Sequence, residues 1–348
     1  MGNLKVHDKL DIQAGGQAEV LDEFGSGGQG TVYKVSYNGK TYALKWYHPG
    51  VFKGKENDFY KNLENNISNG APTDAFLWPK AITKVYNDQF GYLMDVRPSG
   101  YEELTNFFVG GRKQKQARFK SFYALCTAAI NIIEAFRALH NNGYSYQDIN
   151  NGNFFINPEN GDVLICDNDN VSPFGTNLGI MGKQRWMAPE IVMGKNDPDK
   201  NSDRFSLAVV LFRLLFINHP LEGRYSTPPC MTKEAEQKYY GSAPIFVYDP
   251  STTENRPIPG TDHNLKLFWN VYPDYVKDAF TRAFSHDVMM KQKPRILEKS
   301  GWIFLSGFVQ KLAVALIADR KLSILSTEVM TFPVSSAAKK FPLPMQCS

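Results

Sequence analysis

The sequence predicts an α+β chain in two parts: a β-rich first part with one main helix, then a mostly helical second part. Three observations carry this reading. Between about residues 17 and 97, apolar residues fall in short β-branched and aromatic runs punctuated by Gly and Asn. Between about 118 and 316 they recur at helical spacing. The composition is that of a packed chain: of 348 residues, 43% are hydrophobic and 21% charged, which excludes wholesale disorder. The expected units are 15–97, 98–316 and a tail or linker over 317–348.

In the first part, Glu19 to Phe24, Thr31 to Ser36, Lys40 to Tyr47 and Tyr92 to Val96 read as strands. Asn38-Gly39 between two of them predicts a tight hairpin, because both residues tolerate positive φ. A helix over about Glu56 to Ser68 interrupts the strands. In the second part, Phe122, Leu125, Ala129, Ile132, Phe136 and Leu139 share one face of a helix over Phe119 to Asn141. Ser206 to Phe216, Tyr275 to Phe284 and Trp302 to Leu316 are further helix candidates. Glu222 to Asn264, rich in Pro, Gly and Thr, reads as long loops.

The balance of 39 Lys and Arg against 35 Asp and Glu leaves a net charge of +4, too weak to imply a nucleic-acid or membrane partner. The longest strongly apolar stretch, Ser206 to Asn218, contains Arg213 and falls short of the roughly 20 residues of a membrane span. The N-terminus has no apolar leader segment. Cys126, Cys166, Cys230 and Cys347 form no C-x-x-C pair, so a cytoplasmic setting with reduced thiols is expected. The oligomeric state is left open.

Four clusters carry chemistry. Gly25, Gly27 and Gly30 form G-x-G-x-x-G, and the β-prone Thr31 to Val35 follows them where a dinucleotide fold would place a helix. Alone the triplet reads as a glycine-rich hairpin; strand, turn and strand is also the flap whose backbone closes over phosphates. Lys45 ends an apolar strand, where it either snorkels or pairs with phosphates. A phosphate-binding lysine needs a carboxylate to hold it, and Glu64, 19 residues on in the expected helix, is preferred to Glu56. Asp148 and Asn153 lie five apart in a polar loop: either turn formers, or a carboxylate that accepts a hydroxyl proton and an amide that binds a metal. Asp167 ends the β-prone run from Val163, a good place for a Mg²⁺ ligand.

With Ala188-Pro189-Glu190 added in order, these clusters resemble the protein kinase family, specifically bacterial versions of eukaryotic-like Ser/Thr kinases, from about residue 17 to about 315. The resemblance implies a bilobal fold with ATP between the lobes, a protein substrate, and roles for named residues. Gly25, Gly27 and Gly30 would cover the phosphates. Lys45, held by Glu64, would orient them. Val32, Ala43 and Phe155 would enclose adenine, with Met94 as gatekeeper and the backbones of Asp95 and Arg97 as the hinge. Asp148 would be catalytic, Asn153 and Asp167 would hold Mg²⁺, and Arg295 would pair with Glu190.

The pattern departs in three places. Gln147 stands where an Arg usually collects an activating phosphate, so phosphorylation of the following segment is expected to be unnecessary and Ser172 and Thr176 to be plain loop residues. Asn150 replaces the usual lysine two residues after the catalytic Asp, and Lys183 is proposed to supply that cation instead. Asn168-Asp169 replaces Phe-Gly; Asp169 adds a second carboxylate or simply solvates the turn. These changes motivate one rival reading, a pseudokinase that binds nucleotide or acts as a scaffold; a small-molecule kinase on the same fold is a second rival, against which Ala188-Pro189-Glu190 and its preceding loop argue for a protein substrate.

Overall fold

The computed structural model describes residues 4–108, 116–228, 230–301 and 307. The first lobe is a six-stranded antiparallel sheet of β1 (Lys9–Asp11), β2 (Gln17–Ser26), β3 (Gly30–Tyr37), β4 (Lys40–Tyr47), β5 (Ala81–Ile82) and β6 (Gly91–Met94), in the order β1-β2-β3-β4-β6-β5. The sheet begins at Lys9, ahead of the expected boundary at residue 15. The β3–β4 hairpin turns through Asn38 and Gly39 at φ 49° and 73°, and Tyr37 faces Lys40 across it. Alternation along the strands loads both faces. Leu10, Val20, Tyr33, Val35, Leu44 and Trp46 form one apolar cluster. Ala43, Tyr47, Tyr92 and Met94 form another, with Phe59 and Leu63 of helix α1 (Glu56–Asn69).

The second lobe follows as β7 (Glu102–Glu103), α2 (Thr105–Phe108), α3 (Phe122–Asn141), β8 (Tyr144–Ser145), β9 (Phe154–Ile156), β10 (Val163–Ile165), β11 (Ser172–Pro173), α4 (Pro189–Val192), α5 (Lys200–Phe216), α6 (Lys233–Gln237), α7 (His263–Val271), α8 (Asp274–Ala283) and α9 (His286–Met289). Helix α3 starts where the Ser121 side chain accepts from the Ala124 N–H, a cap for one orphan amide. It is long and apolar enough to cross a membrane by length and composition. In this fold it is the core helix, with Ile132, Phe136 and Leu139 fully buried. Helix α5 begins six residues before the apolar stretch that marks it, because Asp199 and Ser202 close a capping box there.

The region Glu222 to Asn264 is not all loop. It holds α6, a π-helical turn over Lys238–Ser242 and the first residues of α7. The short apolar content of these pieces hides them from periodicity. The expected helix Trp302 to Leu316, Gly307 apart, and the tail 317–348 lie outside the described residues. Cys126, buried, and Cys166, partly buried, are free thiols.

A buried ionic network joins the helices to the loop after β8. His140, at the end of α3, bonds Asp203 at 3.1 Å and Glu298 at 2.8 Å, and Arg204 donates to Glu298 at 2.8 Å. Burial alone would depress the imidazole, but the two carboxylates raise it to about 9. Glu298 is opposed by burial yet held down to about 2 by His140 and Arg204. Asp203 also accepts the backbone N–H groups of Tyr146 (2.7 Å) and Gln147 (2.9 Å). Arg295 makes the expected pair with Glu190, bidentate at 2.8 and 2.6 Å.

Candidate active site

The loop from Tyr146 to Asn153 is fastened at both ends. Asp203 holds its first amides, and the Tyr146 hydroxyl donates to the Cys166 carbonyl. At the other end the Cys166 N–H donates to the Asn153 carbonyl at 2.9 Å, tying the loop to the strand end that delivers Asp167. Asn153 and Asp167 are thus brought together. The Asn153 Nδ2 donates to the Asp148 carbonyl at 2.9 Å, which leaves its Oδ1 for a cation. Asp167 is half exposed. One carboxylate and one amide oxygen are hard donors of the kind Mg²⁺ takes when phosphates supply the rest. Among the described residues no cluster of three or more His, Cys, Asp or Glu forms a metal cage.

Asp148 sits mostly buried between these groups. Burial pushes its carboxyl up to about 6, the Asp167 charge adds to this, and the amides of Asn150 and Asn153 and the Lys183 charge oppose it. The Asn150 Nδ2 donates to Asp148 Oδ1 at 3.1 Å, fixing the carboxylate. Lys183 reaches the same loop: its Nζ lies 3.4 Å from Asn151 Oδ1. It is solvent-exposed, and its field is felt at Asp148.

Lys45 corrects one expectation. It makes no pair with Glu64. Helix α1 turns Glu64 toward Gln13, whose side chain donates to it. The face of α1 toward the site carries Asn62 and Asn66, both donating to the Val171 carbonyl, at 2.8 and 2.9 Å. The Lys45 ammonium instead meets Asp169 at 2.8 Å, Asp167 at 3.3 Å and Gln29 of the glycine loop at 3.1 Å. Burial alone would depress it, but the Asp169 and Asp167 charges hold it above its ordinary range. Asp169 also accepts from the hydroxyls of Tyr47 (2.6 Å) and Tyr92 (3.3 Å).

The glycine loop is the β2–β3 turn, closed by Gly27 N–H donating to the Gly30 carbonyl at 2.9 Å. Gly30 is dictated by packing: a Cβ there would lie 2.4 Å from the Trp46 carbonyl. Gly25 and Gly27 face open space apart from Gly30 itself. Val32, Ala43 and Met94 share the apolar cluster that also takes in Val96, Leu164 and Cys166, so an apolar wall spans the two lobes. Phe155 is paired with Leu164 across β9–β10, and the Arg97 guanidinium lies 3.9 Å over its ring. The Asp95 side chain forms a surface ion pair with Lys80 at 2.6 Å.

Gln147 is a site residue whose contacts the sequence did not reveal. It is buried with φ 70°, a strained left-handed backbone for this residue type. Its Nε2 lies 3.0 Å from Ser145 Oγ, 2.8 Å from Ser172 Oγ and 2.6 Å from the Thr176 carbonyl, and its Oε1 accepts from Asn177 at 3.1 Å. Neutral amide bonds therefore pin the segment after Asp167 to the Asp148 loop.

Set beside known proteins, the chain matches the Protein kinase domain family over residues 18–256. It is 26% identical over 210 residues to "Probable serine/threonine-protein kinase kinX" of Dictyostelium discoideum, covering 57% of this chain and 18% of that protein. It is 26% identical over 200 residues to serine/threonine-protein kinase SCH9 of Candida albicans, covering 55% and 24%. With stress-activated protein kinase alpha of Dictyostelium discoideum it shares 26% over 235 residues, covering 63% and 33%. The chain thus spans a third or less of each of these relatives.

Proposed function

This chain belongs to the protein kinase family, and we propose that it transfers the γ-phosphoryl group of ATP, with Mg²⁺, to Ser or Thr hydroxyls of a protein without needing phosphorylation of its own segment after Asp167. The observation that carries the reading is Asp148: a largely buried carboxylate, fixed by Asn150, beside Asn153 and Asp167 and within the field of Lys183. Asp148 orients the acceptor hydroxyl and takes its proton as the oxygen bonds to phosphorus and the bond to the bridging oxygen of ADP breaks. Lys45 orients the α- and β-phosphates beneath Gly25, Gly27 and Gly30. Val32, Ala43, Met94 and Phe155 receive the adenine, with the backbones of Asp95 and Arg97 at its edge. Asn153 and Asp167 would hold the metal, whose charge would neutralise that of the phosphates. Lys183 supplies the cation that Asn150 lacks. The bacterial branch is part of the same proposal, resting on the phrases ALKWY and YQDINNGNFFINP.

Independence from phosphorylation rests on Gln147. Its amide already ties the Ser172 hydroxyl and the Thr176 carbonyl to the Asp148 loop, the fastening that a phosphate–arginine pair would otherwise supply. The test is transfer of labelled γ-phosphate from Mg·ATP to a generic protein acceptor. The wild type should transfer it, and Asp148→Asn should lose about 100- to 10,000-fold. Nucleotide binding without transfer in the wild type would favour the pseudokinase.

A further inference from the structure

We propose that Asp169, rather than any residue of α1, is the carboxylate that positions Lys45 for the nucleotide, so that placement of this lysine does not depend on the helix. The inference deepens the phosphotransfer reading and rests on it for the role of Lys45.

The three acceptors around the Lys45 ammonium differ in how firmly they are held. Gln29 sits on the exposed glycine loop. The Asp167 side chain is 42% exposed and has the longest contact, 3.3 Å. The Asp169 side chain is 2% exposed and has the shortest, 2.8 Å. Phosphates and a cation arriving from the cleft can displace Gln29 and draw Asp167 away. Asp169 lies beyond their reach.

The sheet itself builds the Asp169 cradle. Lys45 and Tyr47 are two apart on β4 and so point to the same face, and Tyr92 on β6 is the register partner of Lys45. All three converge on one carboxylate. Burial, and then the Asp169 charge, hold both phenols well above their ordinary range, so they remain donors. A carboxylate that accepts from a lysine and two phenols is compensated for its burial, where an unpaired one would not be. Helix α1 fastens to the same turn through the neutral bonds of Asn62 and Asn66 to Val171. The carboxylate has moved from the helix to the position after Asn168, and the charged link that would let helix movement switch Lys45 is gone.

The test compares Asp169→Asn, Tyr47→Phe and Glu64→Gln in the full chain. The readouts are kcat, the Mg²⁺ concentration for half-maximal rate, ADP affinity without metal, and melting temperature. Asp169→Asn should lower kcat about 100-fold, weaken ADP several-fold and leave the Mg²⁺ half-saturation unchanged. Glu64→Gln should match wild type in all four. Wild-type kcat and ADP affinity in a folded Asp169→Asn would overturn the proposal. So would a shift in Mg²⁺ half-saturation, which would mark Asp169 as a metal ligand, or an equal loss in Glu64→Gln. If Asp169→Asn does not fold, Tyr47→Phe decides: a several-fold fall in kcat supports the proposal and wild-type kcat overturns it. If the wild type transfers no phosphate, the phosphotransfer reading fails by itself, and the ADP affinities still decide the place of Asp169.

Discussion

Gln147 and Asp167 hold φ at 70° and 51°, where a non-glycine residue costs about 1–3 kcal/mol. Both lie where the two halves of the site meet, and the surrounding hydrogen bonds hold them there. The residue-scale roles were unevenly legible. Asp148, Asn153 and Asp167 stand out because short spacing in one loop and one strand end places them. The Lys45 partner did not, for a geometric reason. A helix advances 100° per residue, so a 19-residue spacing that crosses a loop cannot say which side of α1 faces the sheet, and it faces through Asn62 and Asn66. Apart from Ser145, the Gln147 partners lie 25 to 30 residues away and have no local signature. Lys183 gives a test at this scale. It is exposed, and among the described residues its ammonium makes one contact, 3.4 Å to Asn151, so its loss should cost little stability. Lys183→Met should still lower kcat about 100-fold if its charge neutralises the transferred phosphoryl group. A near-wild-type rate would assign the charge compensation elsewhere.

The elements follow from local chemistry wherever that chemistry is short-range. Asn38-Gly39 turns as its sequence predicts, and α3 and α5 begin at Ser121 and Asp199 through side-chain caps. Strand β1 and helices α6, α7 and α9 escape notice because they are three to nine residues long and draw their stability from neighbours. Glycine shows the difference between motif and packing. Gly30→Ala drives a methyl into the β4 backbone and should destabilise the chain by about 1–3 kcal/mol. Gly28→Ala meets nothing within 4 Å and should stay within about 0.5 kcal/mol of wild type. Denaturant unfolding of the two variants measures the contrast.

For the whole molecule, the His140 network couples the helical core to the Asp148 loop through Asp203. Its pH dependence has a definite sign. The His140 pKa is raised to about 9 from 6.5, so its stabilisation is complete below pH about 6.5 and is lost as pH rises through about 9. Glu298 is lowered to about 2 from 4.5, so its contribution is complete above about 4.5 and is lost as pH falls through about 2. The melting temperature should therefore plateau between these limits and decline on both sides. The alkaline limb is worth at most about 3 kcal/mol, and His140→Gln should flatten it. The two-lobed plan itself was legible from the change in apolar period near residue 100, since a change of period marks a change of architecture. The lobe contacts were not, because they arise between residues far apart in the chain, as Lys45 and Asp169 do. The most direct test of the account is the initial rate of phosphatase-treated protein, verified by mass to carry no phosphate, with Asp148→Asn as the blank. The account predicts the untreated rate. A fall to the level of Asp148→Asn, restored on rephosphorylation, would contradict it.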